Sequence, residues 1–515
     1  MIDVVHNVKA DIKIKFRNGA EYTVPMSNGT NLLDNYCRSL DIDEQLYQRS
    51  TSNIIGNVCG NTLSIELTSK NKLLVPNYNF STYYGYMDDT ATIDITLYVI
   101  DQDVQENVFM GTYFVTSWEG GTSSSQDGEV SITAVDLFSK IKNMTLKDIH
   151  VQRNLSFSTY ITTLVGIINN RLTNNMHIKL DDNSVDIYKN SSYNWQMEIN
   201  NFDMDSIEAL FNNIAKDSIS YIWIDRDKYL RTDHLLDDVI EESVSELNGS
   251  KNLLTYSVKN GDIDKYRGVN VKYINNISYA SGEIMNISNV QLNKGINTLS
   301  EQKLSKSNIS SVDLIEVICE TGEANSLGFD LYKDTINLKV ISSTKTIACI
   351  KVYGTYIVED YAYIERYKDS GDKNSVIEIE NRSLRKELIN TYADGLITLM
   401  DMKDNEVEAS GFINPGIRLA DTVRFVGSKF MIDSYYKVVG LKFSISSGNY
   451  KCDAKLVKVI ETQENVDDIL AYDIALLYDC LTGLDIDSSK LIGITDSQEE
   501  ICENMLGSYL NKLRN

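Results

Sequence analysis

The residues of this chain best suited to nucleophilic or metal chemistry are four histidines and seven cysteines, and their spacing supports neither. His6, His150, His177 and His234 stand far apart. No two fall at the H-E-x-x-H step that sets two imidazoles on one helix face around zinc. A lone histidine is ordinarily a packed or surface residue. From 235 to 515 there is no histidine at all, so a Cys-His peptidase or a zinc amidase has no place in that half. Cys37, Cys59, Cys319, Cys349, Cys452, Cys480 and Cys502 are odd in number and include no C-x-x-C pair. Scattered buried thiols are expected rather than a disulfide framework or a structural zinc site. Neither a G-x-G-x-x-G fingerprint, a G-x-x-x-x-G-K-[ST] loop nor a G-x-S-x-G elbow occurs. Asp485-Ile486-Asp487-Ser488-Ser489 has the outline of a calcium loop. Lys490 stands where the loop needs glycine, and Asp496 where a bidentate glutamate should close it, so a turn before a helix cap is the better reading. Gly120-Gly121 with Ser123–Ser125 has the composition of a phosphate cradle, but it joins two strands and opens no helix. No catalytic, cofactor-binding or metal-ligating residue is therefore assigned, no cofactor is expected, and the chain is read as a non-enzyme.

Composition narrows the field further. Acidic residues outnumber Lys and Arg by 73 to 49, a net charge of −24, and no basic run stands against it. Such a surface repels phosphate backbones and anionic membranes, so stable nucleic-acid binding is not expected. The plain consequence is solubility; the more specific one is a surface past which DNA slides without sticking. At 515 residues the chain exceeds one hydrophobic core, and three or four domains are expected. Proline occurs only at Pro25, Pro76 and Pro415, which leaves short connections rather than Pro-rich linkers. The 31 tyrosines suit protein interfaces, each having an apolar ring and a polar tip. The N-terminus lacks the pattern of a signal peptide, and no apolar run reaches the roughly 18 residues a membrane helix needs. Assembly in a cytosol without a membrane span is expected.

The elements follow from periodicity. Residues 1–150 read as an N-terminal β domain. Lys9 to Phe16 alternates polar and apolar, Arg17–Ala20 supplies a turn, and Glu21–Val24, Thr62–Leu67 and Ala91–Ile100 repeat the strand pattern. It closes with strand Gly111–Trp118, a loop over Glu119–Gly128, strand Val130–Ala134, and a short helix. Asp136 can cap that helix, with Leu137, Phe138 and Ile141 on its apolar face. Residues 151–245 read as an α/β module: helices over Ser156–Leu172 and Asp205–Lys216, then a hairpin turning at Asp225–Lys228. Residues 246–460 read as strands around one long helix, Leu384–Met400, followed by the loop Asn414-Pro415-Gly416. Strands at Thr422–Phe425, Tyr435–Phe443 and Tyr450–Val457 then complete a sheet or barrel, the last two joined at Ser446–Asn449. Residues 461–515 read as two helices with 12 acidic and 3 basic residues, an acidic appendage. It is equally well read as docking surface or as a cover for the preceding core. The fold class is α+β, mainly β.

Three segments in series resemble one family, the central hub proteins of bacteriophage tails and baseplates and of phage-like contractile particles. The first is Gly111–Val115 followed by Val130–Asp136. The second is the helix Ser206–Ala215 leading into Tyr221–Asp225, then Leu253–Val271. The third is Val376–Asn381, the helix to Met400, and Asn414–Val423 with the final strand pair. Their order and spacing cover residues 50 to 460. Ala420 departs from the pattern, since the family often has Gly before the Asp, and the tail from 461 has no counterpart. The resemblance implies several small tube-like β-barrel domains stacked below a tail tube. It implies a homotrimer at the tail tip or baseplate of a virion, with the tail tube or distal tail protein, the tape-measure protein, and baseplate or fibre/spike proteins as partners. An acidic lumen would then let the genome pass without adhering. Two other roles compete with the hub: a peripheral baseplate wedge or adaptor for receptor-binding proteins, which the acidic C-terminal helices motivate, and a wall-degrading tail enzyme, which only the family association motivates.

Overall fold

A period of two governs most of this sequence and the structure follows it: strand makes up 62% of the described residues and helix 14%. The computed structural model describes residues 7–25, 36–48, 55–101, 104–121, 128–145, 152–153, 156–181, 199–200, 206–234, 245–260, 266–331, 335–368, 375–381, 384, 386–403, 405–427, 432–446 and 449–459. The alternating stretch at the start becomes the strand Asn7–Lys15, with Ile12 and Ile14 fully buried. Its hairpin to Glu21–Pro25 closes between Phe16 and Ala20, with Gly19 at a φ of +82° that only glycine adopts without strain.

From Asn7–Lys15 an antiparallel ladder passes through Thr92–Asp101, Val104–Gly121, Gly128–Val135 and Thr62–Ser69 to Tyr36–Gln45. There it meets the far end of the chain. Tyr36–Gln45 pairs with Ile432–Ser446, and Ser444 Oγ donates to Asp41 at 2.7 Å across 403 residues of sequence. The ladder continues through Asn449–Lys458 and Asn405–Gly411 to Leu253–Asn260. Thr422–Gly427 adds to Ile432–Ser446, and Ser245–Asn248 lies parallel to Thr422–Gly427, which makes thirteen strands in one sheet. One apolar cluster fills its inner face. It draws Ile12, Ile65 and Ile132 from the first part of the chain and Phe425, Phe443 and Leu456 from the last.

The mainly-β α+β reading holds. Closed barrels, expected from the resemblance, are not seen among the described residues: the sheet ends at Glu21–Pro25, at Leu253–Asn260 and, on its branch, at Ser245–Asn248, and no pair joins these ends. Glu21–Pro25 is a five-residue edge strand ending in Pro25, which has no N–H to donate, so pairing cannot extend along it. The loop expected over Glu119–Gly128 is shorter than its glycines and serines indicated. Gly120 and Gly121 stay in the ladder opposite Val130 and Glu129. A Cβ on Gly120 would lie 2.5 Å from Pro76, so this glycine serves close packing and no phosphate cradle forms around it.

The helices form where the apolar stripes indicated. Leu137–Ile141 is capped by Asp136, whose carboxylate accepts from Ser139 N at 2.9 Å, and Leu137, Phe138 and Ile141 are buried. Phe157–Asn169 buries Ile161, Leu164, Val165 and Ile168. Ile207–Ser218 is capped by Ser206 and buries Ile207, Leu210, Phe211 and Ile214. The third long helix, Ile389–Lys403, begins after a 3-10 turn at Lys386–Leu388 and buries Tyr392, Leu396 and Met400. Residues 268–367 make a separate β body. Gly268–Leu292 and Thr346–Tyr367 form a long two-stranded ribbon, and Ile309–Cys319 and Val376–Asn381 flank it. A three-stranded sheet of Gly295–Lys303, Thr335–Ser342 and Ala324–Leu331 packs against its end around Ile284, Leu338 and Ile350. The helices expected over 461–515 lie outside the described residues.

Ala420 sits at a φ of +67°, between a hydrogen bond from its N–H to Val438 O and the Asp421 carbonyl that accepts from Val438 N. A left-handed backbone costs a non-glycine residue about 1 kcal/mol. Ala420→Gly therefore raises stability by up to about 1 kcal/mol in urea denaturation, and a loss of stability would contradict this account of the turn.

Candidate functional site

The turn read from the sequence as a plain hairpin loop, Asp225–Lys228, is bonded through each of its four residues. It joins Ser220–Ile224 to Leu230–His234. Asp225 shapes it: its carboxylate accepts from Asp227 N at 2.9 Å and Tyr229 N at 2.8 Å. Lys228 takes a φ of +70° to close the turn. The result points Arg226 into the sheet.

Arg226 is buried and meets Glu44 in a two-pronged pair, Nε to Oε1 and Nη2 to Oε2, both at 2.8 Å. The side chains are 4% and 2% exposed. Nη1 donates to Pro415 O at 2.8 Å and Nη2 also reaches Ile417 O at 3.2 Å, while the guanidinium lies 5.3 Å from the centre of the Phe443 ring. Burial alone would lower the Arg226 pKa; the charge and hydrogen bonds of Glu44 outweigh it and raise it, so the guanidinium stays charged. Gly111, beside Arg226, takes a φ of +120°, a backbone conformation that side-chain-bearing residues rarely adopt.

Two further ion pairs tie the same hairpin to the sheet. Arg418 Nη1 donates to Asp227 at 2.9 Å and Lys437 Nζ to Asp233 at 2.6 Å. Arg231 braces the turn from within through Asp225 and Asp181. The helix Ile207–Ser218 is held as closely: Phe138 stacks on Phe211, Asn212 accepts from Val58 N, and Tyr392 OH donates to Lys216 O. Tyr47 stacks on Tyr221 with ring centres 5.1 Å apart.

The groups that could do chemistry are not brought together. His6 and His150 lie outside the described residues, His234 ends a strand, and His177 contacts Leu172 O through Nε2. Burial pushes the Cys37 and Cys59 thiols up to about 12 and raises Cys452 as well, so none is a nucleophile at neutral pH. Asp136 is pushed up to about 6 by burial, partly offset by the N–H groups it caps. Among the described residues no group of three or more His, Cys, Asp or Glu is arranged to hold a metal ion. The calcium-loop segment from Asp485 lies outside them.

A recess of about 510 Å³ lies over the polar face of the sheet, lined in part by Asp43, Gln45, Tyr256, Glu408, Lys442 and Asp453. Burial raises the Asp453 carboxyl, but bonds from Ser410 and Lys451 outweigh it and hold it below its ordinary value. No histidine or cysteine lines this recess. Exposed large apolar groups include Leu254 on a strand lining the recess, Phe80 and Tyr84 on one loop, and a larger set on the 268–367 body.

No family model matches the chain, and no curated protein matches it. Among solved structures it is similar to the 43 kDa tail protein of prophage MuSo2 from Shewanella oneidensis, with 10% identity over 87% of this chain and 98% of that one, at a TM-score of 0.46. It is similar to a tail protein from Neisseria meningitidis MC58, with 10% identity over 87% and 96% and a TM-score of 0.44. It is also similar to prophage tail protein gp18 from Listeria monocytogenes EGD-e, with 9% identity over 90% and 99% and a TM-score of 0.40. These are phage tail proteins, the class that the three sequence segments resemble. Likeness of this degree concerns the general course of the chain, and no residue role passes from them.

Removing one member of a buried ion pair leaves the other charged and unpaired, at a cost of about 3–5 kcal/mol. Arg226→Met should therefore destabilise the protein by about that much in urea denaturation, and Glu44→Leu similarly, while the double variant costs less than the sum. Additive costs would contradict the pairing.

Proposed function

We propose that this chain is a structural hub of a phage or phage-like tail. In this reading three copies form a ring at the distal end of the tail tube. The ring links tube and tape measure to tip or baseplate components, and the chain is assembled in the host cytoplasm and carried in the virion tail. The observation that carries the reading is the relation among the three family-like segments. The first and the end of the third lie in one thirteen-stranded sheet over one core, and the hairpin of the second is pinned to that sheet through Arg226 and Glu44.

Charge and chemistry support it. A chain of net charge −24 around an axis presents carboxylates to a passing genome and repels its phosphates. The buried, unreactive thiols and the histidine-free recess give no reason to assign an enzymatic step, and none is proposed. Partners are then other proteins: the tube or distal tail protein above, the tape-measure tip within, and baseplate or fibre proteins outside.

Sedimentation of the purified chain tests the ring. The expected mass is three times the 58.2 kDa of one copy. A chain that stays monomeric at all concentrations and is absent from assembled particles would overturn the reading.

A further inference from the structure

The end of the 268–367 body differs in charge and exposure from the rest of the chain. Residues 280–357 hold eight acidic and seven basic residues, a net charge of −1 in a chain of −24. Seven of the thirteen exposed large hydrophobic side chains among the described residues fall in this short stretch. Two copies of so acidic a chain repel over most of their surface, and least here.

The apolar groups are divided between two opposite faces. Ile336, Leu338 and Val340 of one sheet and Ala348, Ile350 and Val352 of the other form the core between them. Alternation sends the intervening residues outward on opposite sides. On the three-stranded sheet Ile296 and Ile341 are directly paired across strands, 69% and 40% exposed, with exposed Lys339 beside them. On the four-stranded sheet the edge strand Ile309–Cys319 shows Leu314 and Ile318, with Glu316 between them and Ile347 on the neighbouring strand. Lys351 lies across the ladder from Glu316, Glu283 lies opposite Tyr353, and Asp313 accepts from Thr355 on the same side, so that face is net acidic.

We propose that these two faces are the two halves of one contact between copies of this chain. The Ile296–Ile341 face of one copy covers the Leu314–Ile318 face of the next, and Lys339 meets Glu316 across the joint. Two different faces on one body make a head-to-tail contact, which closes into a ring when the rotation allows. A two-fold contact would instead set each face on itself, with Lys339 against Lys339 or Glu316 against Glu316. The inference rests on the ring reading and names the surface that joins its members.

A charge exchange tests it with the full chain in sedimentation velocity. Lys339→Glu and Glu316→Lys should each raise the concentration needed for assembly at least about tenfold, and the double exchange should return it to within about threefold of wild type. Both side chains point outward, so circular dichroism stays unchanged, and melting falls slightly only where Glu316→Lys sets a lysine opposite Lys351. Single variants that assemble like wild type, or a double no better than the singles, overturn this contact and leave the ring standing. A wild-type chain that never assembles overturns both.

Discussion

The structure depends on one buried ion pair. Glu44 comes from the first third of the chain, Arg226 from the middle, and the carbonyls of Pro415 and Ile417 that share the guanidinium come from the last third. A charge out of water is tolerated only when its partners are complete, because its desolvation exceeds what any single contact returns. The geometry is correspondingly complete, with a two-pronged carboxylate, two carbonyls and an aromatic face. Three stretches of chain that could each pack in several ways are thereby held to one arrangement. Lys437–Asp233, with its lysine buried, and the more exposed Arg418–Asp227 pair add further ties to the same hairpin.

That constraint explains how one open sheet spans so much sequence. The pairing of Tyr36–Gln45 with Ile432–Ser446 has the long loop closure of a slow-forming contact. Glu44 is itself in this joint, one residue from the Gln45–Gly440 pair, so the ion pair and the ladder reinforce each other. The 268–367 body has its own sheets and its own apolar core around Ile284, Leu338 and Ile350.

Much of the fold was legible because it rests on local periodicity. The strands at 9–16 and 91–100 alternate, and the caps Asp136 and Ser206 and the stripes Ile161–Ile168 and Ile207–Ile214 appear where pattern and capping placed them. Ala420 was legible as a departure from a family pattern, and its left-handed backbone supplies the reason that glycine is usual there. The strand Tyr36–Gln45 was not legible, since its register is set by partners hundreds of residues away. Arg226 was hidden for the same cause: Asp-Arg-Asp-Lys reads as a solvated turn, and only the fold brings Glu44 to it. The short loop after Gly121 was misjudged because Gly120 is required by the contact with Pro76 and not by a turn.

The central claim is that the Arg226 hairpin and the thirteen-stranded sheet form one cooperative unit. Equilibrium unfolding of a Trp118→Phe, Trp195→Phe variant, which keeps only Trp223 on the strand entering that hairpin, measures this directly. Trp223 fluorescence and far-ultraviolet circular dichroism should trace one coincident urea transition. A fluorescence change completed at lower urea, with the strand signal intact, would show that the hairpin detaches on its own and contradict the account.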